Sequence, residues 1–451
     1  MTLLGIFCAL FTLACACGGI ALLTLPRRET DAVEFLSLAV IFGGAFVSGL
    51  LFVLGFALRG GVLIAAVSVC CVAIGLAGIF FARRTFFSLI WPVPRSALGW
   101  LLCMLLALQF CVVAWQTLNQ PLLWDGLLSW EFKARLAFLG RGGIPLEYFS
   151  DPSRQWTHPN YPLCIPLVEY WFYAWIGRCD QGVAKLPFVF VYLAGAGLLF
   201  SGVKKMGGEP WRGAVASALM FFVPSLLIEP GSTTSGWADA ALATAYLAAV
   251  IFLIEYASRK TRRALLLCGL CAGMLPWVKQ EGAVLWACVM AMAFGLAWRR
   301  RDVLGVAIAA LPGIAIIAGW KIFLAVANTP HSAEFLPLTM DTFAAKIGRA
   351  PFIANFLARQ IFDWHRWSVL WIAVLLALAQ LLCGRKKGAA VILALSILLP
   401  VLLFSGVYIF SAWPDFRLHV GTSLPRLLID VAPVGLLAIA LVLPSFYPKK
   451  V

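Results

Sequence analysis

The densest group of side chains that could do chemistry lies in the segment WDGLLSWEFKAR, residues 124–135. Asp125 follows an apolar run long enough to cross a bilayer, where a carboxylate could take a proton at the membrane surface. Gly126 beside it allows a tight turn or a closely approaching ligand. Lys133 in the same segment is a further candidate for substrate binding. A turn or helix-end role is the alternative for Asp125.

The same segment predicts a short helix. Ser129 is expected to cap a helix that runs to Gly140. Glu131 and Arg135 are spaced i,i+4 on that helix, which favours an ion pair on its exposed surface.

A second candidate is the turn HPNYP, which holds His158 and Tyr161 between prolines. Proline restricts the backbone, so the two rings are expected in a fixed, aromatic setting. His158 could bind phosphate, relay a proton or ligate a metal. Packing within the loop is the alternative.

Two pairs of charges lie at predicted helix ends. Glu229 and Asp239 bracket the loop PGSTTSGWA, and Asp239 falls in the first turn of the next helix, where the helix dipole alone would favour an acid. Lys279 and Glu281 form the short turn KQEG between two apolar runs. Charges at that depth are costly unless they pair with each other or serve a function.

The remaining candidates lie in the segments WPDFRLH and TSLPRLL, which contain Arg417, His419 and Arg426. Arg426 precedes a predicted span that begins at Leu427, where a guanidinium could hold a phosphate. Extension of the side chain to lipid head groups is the alternative.

These residues belong to a strongly apolar chain of 451 residues, of which 62% are hydrophobic and 12% charged. A soluble fold of this length could not bury so much apolar surface. Runs of about 18 or more apolar residues recur along the chain and predict membrane-spanning helices. The net charge of +15 lies mostly in short clusters between those runs, which predicts contact with membrane lipids and argues against nucleic acid.

The sequence therefore predicts an all-α polytopic membrane protein with about thirteen transmembrane helices. The predicted spans begin near Thr2, Phe35, Val62, Leu98, Val183, Gly213, Gly236, Ala264, Gly282, Val303, Trp367, Ala389 and Leu427. The run from Leu163 to Trp175 is too short to span and carries Glu169, so it predicts a helix lying at the membrane interface.

Basic clusters alternate with the predicted spans and fall on one side, which the positive-inside rule makes cytoplasmic. These clusters are Arg27/Arg28, Arg83/Arg84, Lys204/Lys205, Arg259/Lys260/Arg262/Arg263, Arg299/Arg300/Arg301, Arg385/Lys386/Lys387 and Lys449/Lys450. The N-terminus is then outside and the C-terminus inside, and the first helix is expected to be retained. The long connections 119–182 and 327–366 and all four histidines fall outside, so the chemistry is predicted at the outer face.

Most of the 13 cysteines lie in apolar runs, where cysteine packs as a small apolar side chain. Cys268 and Cys271 have the spacing of a redox or metal motif, but no histidine or acid lies near them in the sequence. Cys164 and Cys179 could form a disulfide in the first outer loop.

In these segments the chain resembles the GT-C superfamily of membrane glycosyltransferases. That superfamily includes protein O-mannosyltransferases, the lipid A aminoarabinose transferase and oligosaccharyltransferase. The resemblance is carried by WDGLLSWEFKAR, HPNYP, GWAD, KQEG and TSLPRLL, in that order, between about Leu98 and Leu443. Residues 98–451 are accordingly predicted to form the catalytic module, and residues 1–97 extra N-terminal transmembrane helices. About three spans precede the helix that leads to Asp125, whereas family members usually place that loop after the first helix.

The resemblance implies an inverting sugar transfer from a polyprenyl-phosphate donor to a lipid, glycan or protein acceptor. It places the reaction on the outer face of a bacterial inner membrane, towards the periplasm or cell exterior. Asp125 would be the general base, with Lys133, His158, Tyr161, Glu229, Asp239, Lys279, Glu281, Arg417, His419 and Arg426 around the substrate. The transfer would be metal-independent or assisted by a divalent ion such as Mg²⁺ or Mn²⁺, and no metal ligand is assigned.

Two other functions are compatible with an outer face of this kind. A ligase or polymerase of lipid-linked glycans would also use cations, to bind a pyrophosphate. A transporter or flippase of lipid-linked glycans should carry polar residues near mid-membrane and show repeated or broken helices. Few charges lie deep in the predicted spans, and no internal repeat is evident.

Overall fold

The structure is a computed structural model that describes residues 2–25, 30–83, 93–94, 96–298, 301–332, 334–384 and 387–444. The first helices are α1 (Thr2–Thr24), α2 (Ala32–Leu54), α3 (Gly60–Arg83) and α4 (Ala97–Asn119). A π-helix (Gly126–Glu131), α5 (Phe132–Leu139), α6 (Leu146–Ser150), a 3₁₀ segment (Pro152–Thr157), α7 (Cys164–Ile176) and α8 (Gln181–Ala184) follow.

The middle of the chain forms α9 (Leu186–Lys205), α10 (Pro210–Leu219), α11 (Pro224–Leu227), α12 (Ala238–Arg259), α13 (Arg262–Val278), α14 (Gly282–Trp298) and α15 (Val303–Val326). The last part forms α16 (Met340–Lys346), α17 (Ala350–Ile361), α18 (Trp364–Trp367), α19 (Leu370–Cys383), α20 (Lys387–Val407), α21 (Phe416–Ile429) and α22 (Ala432–Val442). One isolated antiparallel bridge, between Phe335 and Ser411, is the only strand pairing in the described residues.

Eight helices of the described residues are long and apolar enough to cross a membrane: α1, α2, α3, α4, α8 with α9, α12, α15 and α20. Helices α21 and α22 meet at a bend of 47° and pass the same test together, which makes nine. The all-α, multi-pass membrane architecture is therefore confirmed. The other predicted spans form α10, α13, α14 and α19, whose 10 to 17 residues rise only about 15–26 Å. The hydrocarbon core of a bilayer is about 30 Å thick, so length alone does not show that these four helices cross it. The predicted number of spans stays a prediction.

Helix α12 lies at the centre of the bundle. It packs against α9, α13, α14, α20, α21 and α22, and 78% of its apolar window is buried. Its many alanines allow neighbouring helices to approach closely. Asp239 in its first turn and Glu255 near its last turn are separated by about 24 Å along the axis. One carboxylate thus lies near each end of the central helix.

The N-terminal helices are joined to the rest of the bundle by packing and by charge. Helix α1 contacts α2, α3 and α7, while α2 contacts α7 and α9. Lys205 in α9 lies 2.9 Å from Glu34 in α2 and 2.8 Å from Glu255 in α12. All three side chains are nearly buried, so this ion triad fastens three helices together at the end opposite Asp239.

Helix α7 forms where an interfacial helix was predicted, but protein encloses it. All of its residues from Cys164 to Tyr173 are buried, in contact with α1, α2 and α5. A helix lying in a membrane surface keeps a polar face towards water. The one charged side chain of α7, Glu169, is instead fully buried, and the position of this helix at the membrane interface stays a prediction.

The predicted Glu131–Arg135 pair forms, but it is not a surface pair. Glu131 is fully buried, and its Oε1 accepts hydrogen bonds from Arg135 Nε and, at 2.7 Å, from the Tyr173 hydroxyl. Both carboxyl oxygens of Glu169 lack a hydrogen-bond partner in the structure. Burial, and then the charge of Glu131, raise the pKa of Glu169 well above its ordinary value.

Cys164 and Cys179, which could have formed a disulfide, are both free in the structure. Cys268 and Cys271 are buried in α13, as expected for packing residues. Several basic residues behind the predicted orientation lie outside the described residues: Arg27, Arg28, Arg84, Arg299, Arg300, Arg385, Lys386, Lys449 and Lys450. The orientation stays a prediction.

Candidate functional site

Charged side chains from four parts of the chain meet where α12 begins. Arg426 in α21 donates from Nη1 to Asp125 Oδ2 at 2.8 Å, and its Nη2 lies 3.4 Å from Asp239 Oδ2. Lys279 donates to Asp239 Oδ1 at 2.8 Å and lies 3.2 Å from Glu281 Oε1. Asp239 therefore bridges the two cations, and these five residues are named the Asp239 cluster.

The Asp239 cluster has a buried floor and an accessible rim. The Asp239 and Lys279 side chains are 0% and 2% exposed, whereas those of Asp125 and Glu281 are each 25% exposed. Arg426 lies between them, at 17%. An incoming group would therefore meet Asp125, Glu281 and Arg426 before it reaches Asp239.

Short turns and one aromatic ring hold these charges in place. Lys279 and Glu281 lie in the turn between α13 and α14, as predicted, and a Cβ on Gly282 would come within 2.0 Å of the Leu275 carbonyl oxygen. Only glycine fits there. Trp237 lies under Arg426, whose guanidinium carbon is 4.1 Å from the ring centroid. This contact has cation–π geometry and restricts the position of the guanidinium.

Asp125 directly precedes the π-helix, a rare form that is frequent at functional sites. A Cβ on Gly126 would lie 2.6 Å from the Ser235 carbonyl oxygen, so glycine lets this segment approach the loop before α12. The predicted cap is wrong: Ser129 lies inside the π-helix, and its hydroxyl has no hydrogen-bond partner in the structure. Helix α5 begins at Phe132 and ends before Gly140, where the end was predicted.

Lys133 is fully buried and supports the HPNYP turn. Its Nζ donates to the His158 carbonyl oxygen at 2.7 Å and lies 5.4 Å and 5.6 Å from the ring centroids of Trp130 and Tyr161. Burial lowers the pKa of Lys133 to about 7, although the charge of Asp125 acts in the opposite direction. The carbonyl oxygen that accepts from Lys133 belongs to His158, whose backbone lies in the left-handed region with φ of 51°.

His158 stacks on Tyr161 with ring centroids 4.7 Å apart. Burial lowers the pKa of His158 to about 4, while Asp125 opposes this shift. The imidazole is therefore neutral near pH 7, which favours hydrogen bonding over electrostatic attraction of a phosphate.

Two acids of this region were missed by sequence reasoning. Glu334, between α15 and α16, lies 3.6 Å from His158 Nδ1, and no motif surrounds it in the sequence. Burial, followed by repulsion from Glu281, raises the pKa of Glu334. Asp430 is fully buried at the bend between α21 and α22, within electrostatic range of Lys279, and neither carboxyl oxygen has a hydrogen-bond partner in the structure. Because acidic residues are rare inside membrane spans, Asp430 could have been identified as a candidate from the sequence.

Three predicted residues lie apart from the Asp239 cluster. Glu229 is half-buried in the loop before α12 and has no charged partner among the described residues. Arg417 is exposed, with its guanidinium 5.3 Å from the centroid of Phe352. His419 is buried against Trp413, with ring centroids 4.4 Å apart, and its Nδ1 shares a hydrogen bond with the Ser411 hydroxyl.

Arg426 was predicted to precede a span that begins at Leu427. It lies instead within α21, which begins at Phe416. In the described residues, no group of three or more His, Cys, Asp or Glu is arranged to hold a metal ion.

Two cavities lie among the described residues, and none of the five residues of the Asp239 cluster is in the lining of either. The first, named the aromatic cleft, is about 390 Å³ and is lined among others by Trp156, His158, Glu334 and Trp413. The second, named the apolar groove, is about 530 Å³ and lies between α1, α2, α7, α9, α12 and α13. Val278 lines this groove directly before Lys279 in the chain.

The arrangement combines a partly exposed carboxylate with fixed cations, and an apolar cavity is lined by the residue before Lys279. Comparison of the chain with protein-family models, curated proteins and solved structures finds no match.

Proposed function

We propose that the protein is a glycosyltransferase that moves a sugar, with inversion, from a polyprenyl-phosphate donor to an acceptor. The observation that carries this proposal is the contact between Asp125 and Arg426, 2.8 Å apart at the rim of the Asp239 cluster. A proton acceptor and a phosphate-binding cation are the two groups that such a transfer needs side by side.

The apolar groove suits the lipid part of the donor. A polyprenyl chain stays in the bilayer, so the protein must bind the phosphate at the end of an apolar cavity that holds the chain. The groove is almost entirely apolar, and Ala241 and Val278 in its wall are two residues and one residue from Asp239 and Lys279. A tail held there would bring the phosphate towards Lys279 and Arg426.

The proposed reaction is a single displacement at the anomeric carbon. The acceptor oxygen forms the new bond while the bond from the anomeric carbon to the phosphate oxygen breaks, and its electron pair leaves with the phosphate. Asp125 takes the acceptor proton, a contribution of about 10²–10⁴-fold. Arg426 and Lys279 offset the negative charge that grows on the leaving phosphate. A phosphate that binds Arg426 would also release Asp125 from its ion pair.

We place the Asp239 cluster at the outer face of a bacterial inner membrane. This rests on the alternation of basic clusters along the sequence and on the Lys205 triad at the opposite end of α12.

A transporter or flippase of lipid-linked glycans is the second candidate. It is favoured by the 47° bend between α21 and α22 and by Asp430 buried at that bend, since broken helices and buried charges are typical of transporters. An enzyme releases product in detergent solution, whereas transport requires two compartments, so turnover without vesicles distinguishes the two.

The test uses the purified full chain in detergent with a panel of polyprenyl-phosphate sugars, radiolabelled in the lipid, and with lipid, glycan and protein acceptors. Release of polyprenyl phosphate is measured for the parent, for Asp125→Asn and for the control Glu229→Gln. We expect turnover to fall about 10²-fold or more in Asp125→Asn with donor affinity little changed. Parental turnover in a folded Asp125→Asn protein would remove Asp125 from the mechanism. Absence of turnover with every donor would overturn the proposed function.

A further inference from the structure

The aromatic cleft offers two ring surfaces to a ligand. Trp156 is 54% exposed in the 3₁₀ segment before HPNYP, and it lines the cleft together with Trp413. The Trp413 ring is stacked on His419 at an interplanar angle of 10°, which fixes its plane and leaves its other face for contact. Flat, fixed indole rings suit ligands that have an apolar face and polar edges.

The polar groups of the cleft include both hydrogen-bond donors and acceptors. One N–H of each side-chain amide of Gln155 and Asn160 is used, donating to the His331 carbonyl oxygen and to the Gln280 side chain. The second N–H and the oxygen of each amide remain, together with the Glu334 carboxylate and the indole N–H groups of the two tryptophans. Such a lining matches a ligand rich in hydroxyl groups, which both donate and accept.

The charge of the cleft argues against an anionic ligand. Lysine and arginine are absent from its described lining, and Glu334 is its one carboxylate. A phosphate or an anionic lipid would therefore find no cation here. The cations lie instead in the adjacent Asp239 cluster.

The cleft and the Asp239 cluster share a wall. Asn160 of the cleft donates at 2.9 Å to Gln280, which lies between Lys279 and Glu281. His158 lines the cleft and is held through its carbonyl oxygen by the buried Lys133. A ligand in the cleft would thus lie beside the carboxylates of the cluster.

From these contacts we infer that the aromatic cleft binds the acceptor of the transfer, and that this acceptor is a neutral saccharide. The assignment of this saccharide as the acceptor rests on the proposed function. Binding of the saccharide itself can be measured without donor.

The test is saturation-transfer NMR on the full chain in lipid nanodiscs, which avoids the saccharide head groups of common detergents. The probes are the neutral disaccharides cellobiose, lactose and maltose, with glucose 6-phosphate and a neutral tripeptide for comparison. We expect saturation transfer to at least one disaccharide and none to the phosphorylated sugar or the peptide. Trp156→Ala should weaken disaccharide binding about tenfold, as expected for loss of an aromatic contact.

The matched control is Trp115→Ala, because Trp115 is 70% exposed on α4 and does not line the cleft. Trp413→Ala gives a second, independent measurement if Trp156→Ala loses its fold in a thermal melt. Equal disaccharide binding by these cleft variants and the control would overturn the inference, as would binding of the peptide or phosphorylated sugar alone. Donor turnover without disaccharide binding would refute the inference alone, whereas disaccharide binding without turnover would refute the proposed function alone.

Discussion

Asp239 is the position at which one isosteric substitution should disturb the Asp239 cluster most. Its two oxygens contact different cations, Lys279 at 2.8 Å and Arg426 at 3.4 Å, and its side chain is fully buried. In Asp239→Asn the amide keeps the size but loses the charge, so Lys279 retains only Glu281 and Arg426 retains only Asp125. Loss of one partner of a buried ion pair costs about 3–5 kcal/mol. Because each cation keeps a rim carboxylate, we expect a loss of about 3 kcal/mol.

A double-mutant cycle separates this pairing from other effects. Lys279→Met alone removes a buried cation and leaves Asp239 with Arg426. The double variant Asp239→Asn with Lys279→Met removes both charges, so it should be more stable than the sum of the single effects by about 1–3 kcal/mol. Glu229→Gln is the control: Glu229 lies ten residues earlier without a charged partner among the described residues, and should change stability by about 0.5 kcal/mol or less.

The free energy of unfolding would be measured by denaturant titration in mixed micelles, followed by circular dichroism and tryptophan fluorescence. Additive effects of the two substitutions would refute the bridging role of Asp239. So would an Asp239→Asn protein as stable as the Glu229→Gln control.

Two further predictions concern burial and orientation. Because the pKa of Glu169 is raised, its carboxyl group keeps a proton in the native protein that it loses in the unfolded chain above about pH 4.3. The free energy of unfolding should therefore fall with rising pH, by up to about 1.4 kcal/mol per pH unit. Glu169→Gln cannot ionise, so thermal melts between pH 5 and 8 should show a flatter dependence than the parent; an unchanged slope would contradict this. A cysteine at the exposed position Ser153, in a cysteine-free chain, should react with an impermeant maleimide in intact cells, while one at Arg301 should not. Labelling at Ser153 only after lysis would reverse the predicted orientation.

The helix-end charges of the site could be predicted because a charge beside an apolar run is costly and needs a partner. This reasoning identified Asp125, Asp239, Lys279 and Arg426 one at a time. It could not identify pairs between distant segments: Asp125 and Arg426 are 301 residues apart, and no local pattern relates them. The burial of individual side chains could not be predicted either. Nothing in the sequence around Lys133 indicated that its side chain would be buried.

The errors of prediction have physical reasons as well. Apart from Glu169, the run that forms α7 is apolar on all sides, and such a helix can pack equally well against protein or lipid, so its burial by protein could not be predicted. The start of α21 was missed because Arg417, His419 and Thr422 lower its hydropathy. Asp415 caps the N-terminus of this helix, since its side chain accepts from the Arg417 backbone N–H, and Pro425 lies inside it.

The wide separation of Asp125 from Arg426 also has a consequence for biogenesis. At about 5–20 residues per second, the ribosome adds Arg426 roughly 15–60 s after Asp125, given the 301 residues between them. Until then, Asp125 and Asp239 lack the guanidinium that both contact in the folded chain. Emergence of α21 supplies the second positive charge. The Asp239 cluster is therefore complete only after α21 has been synthesised and has packed against α12.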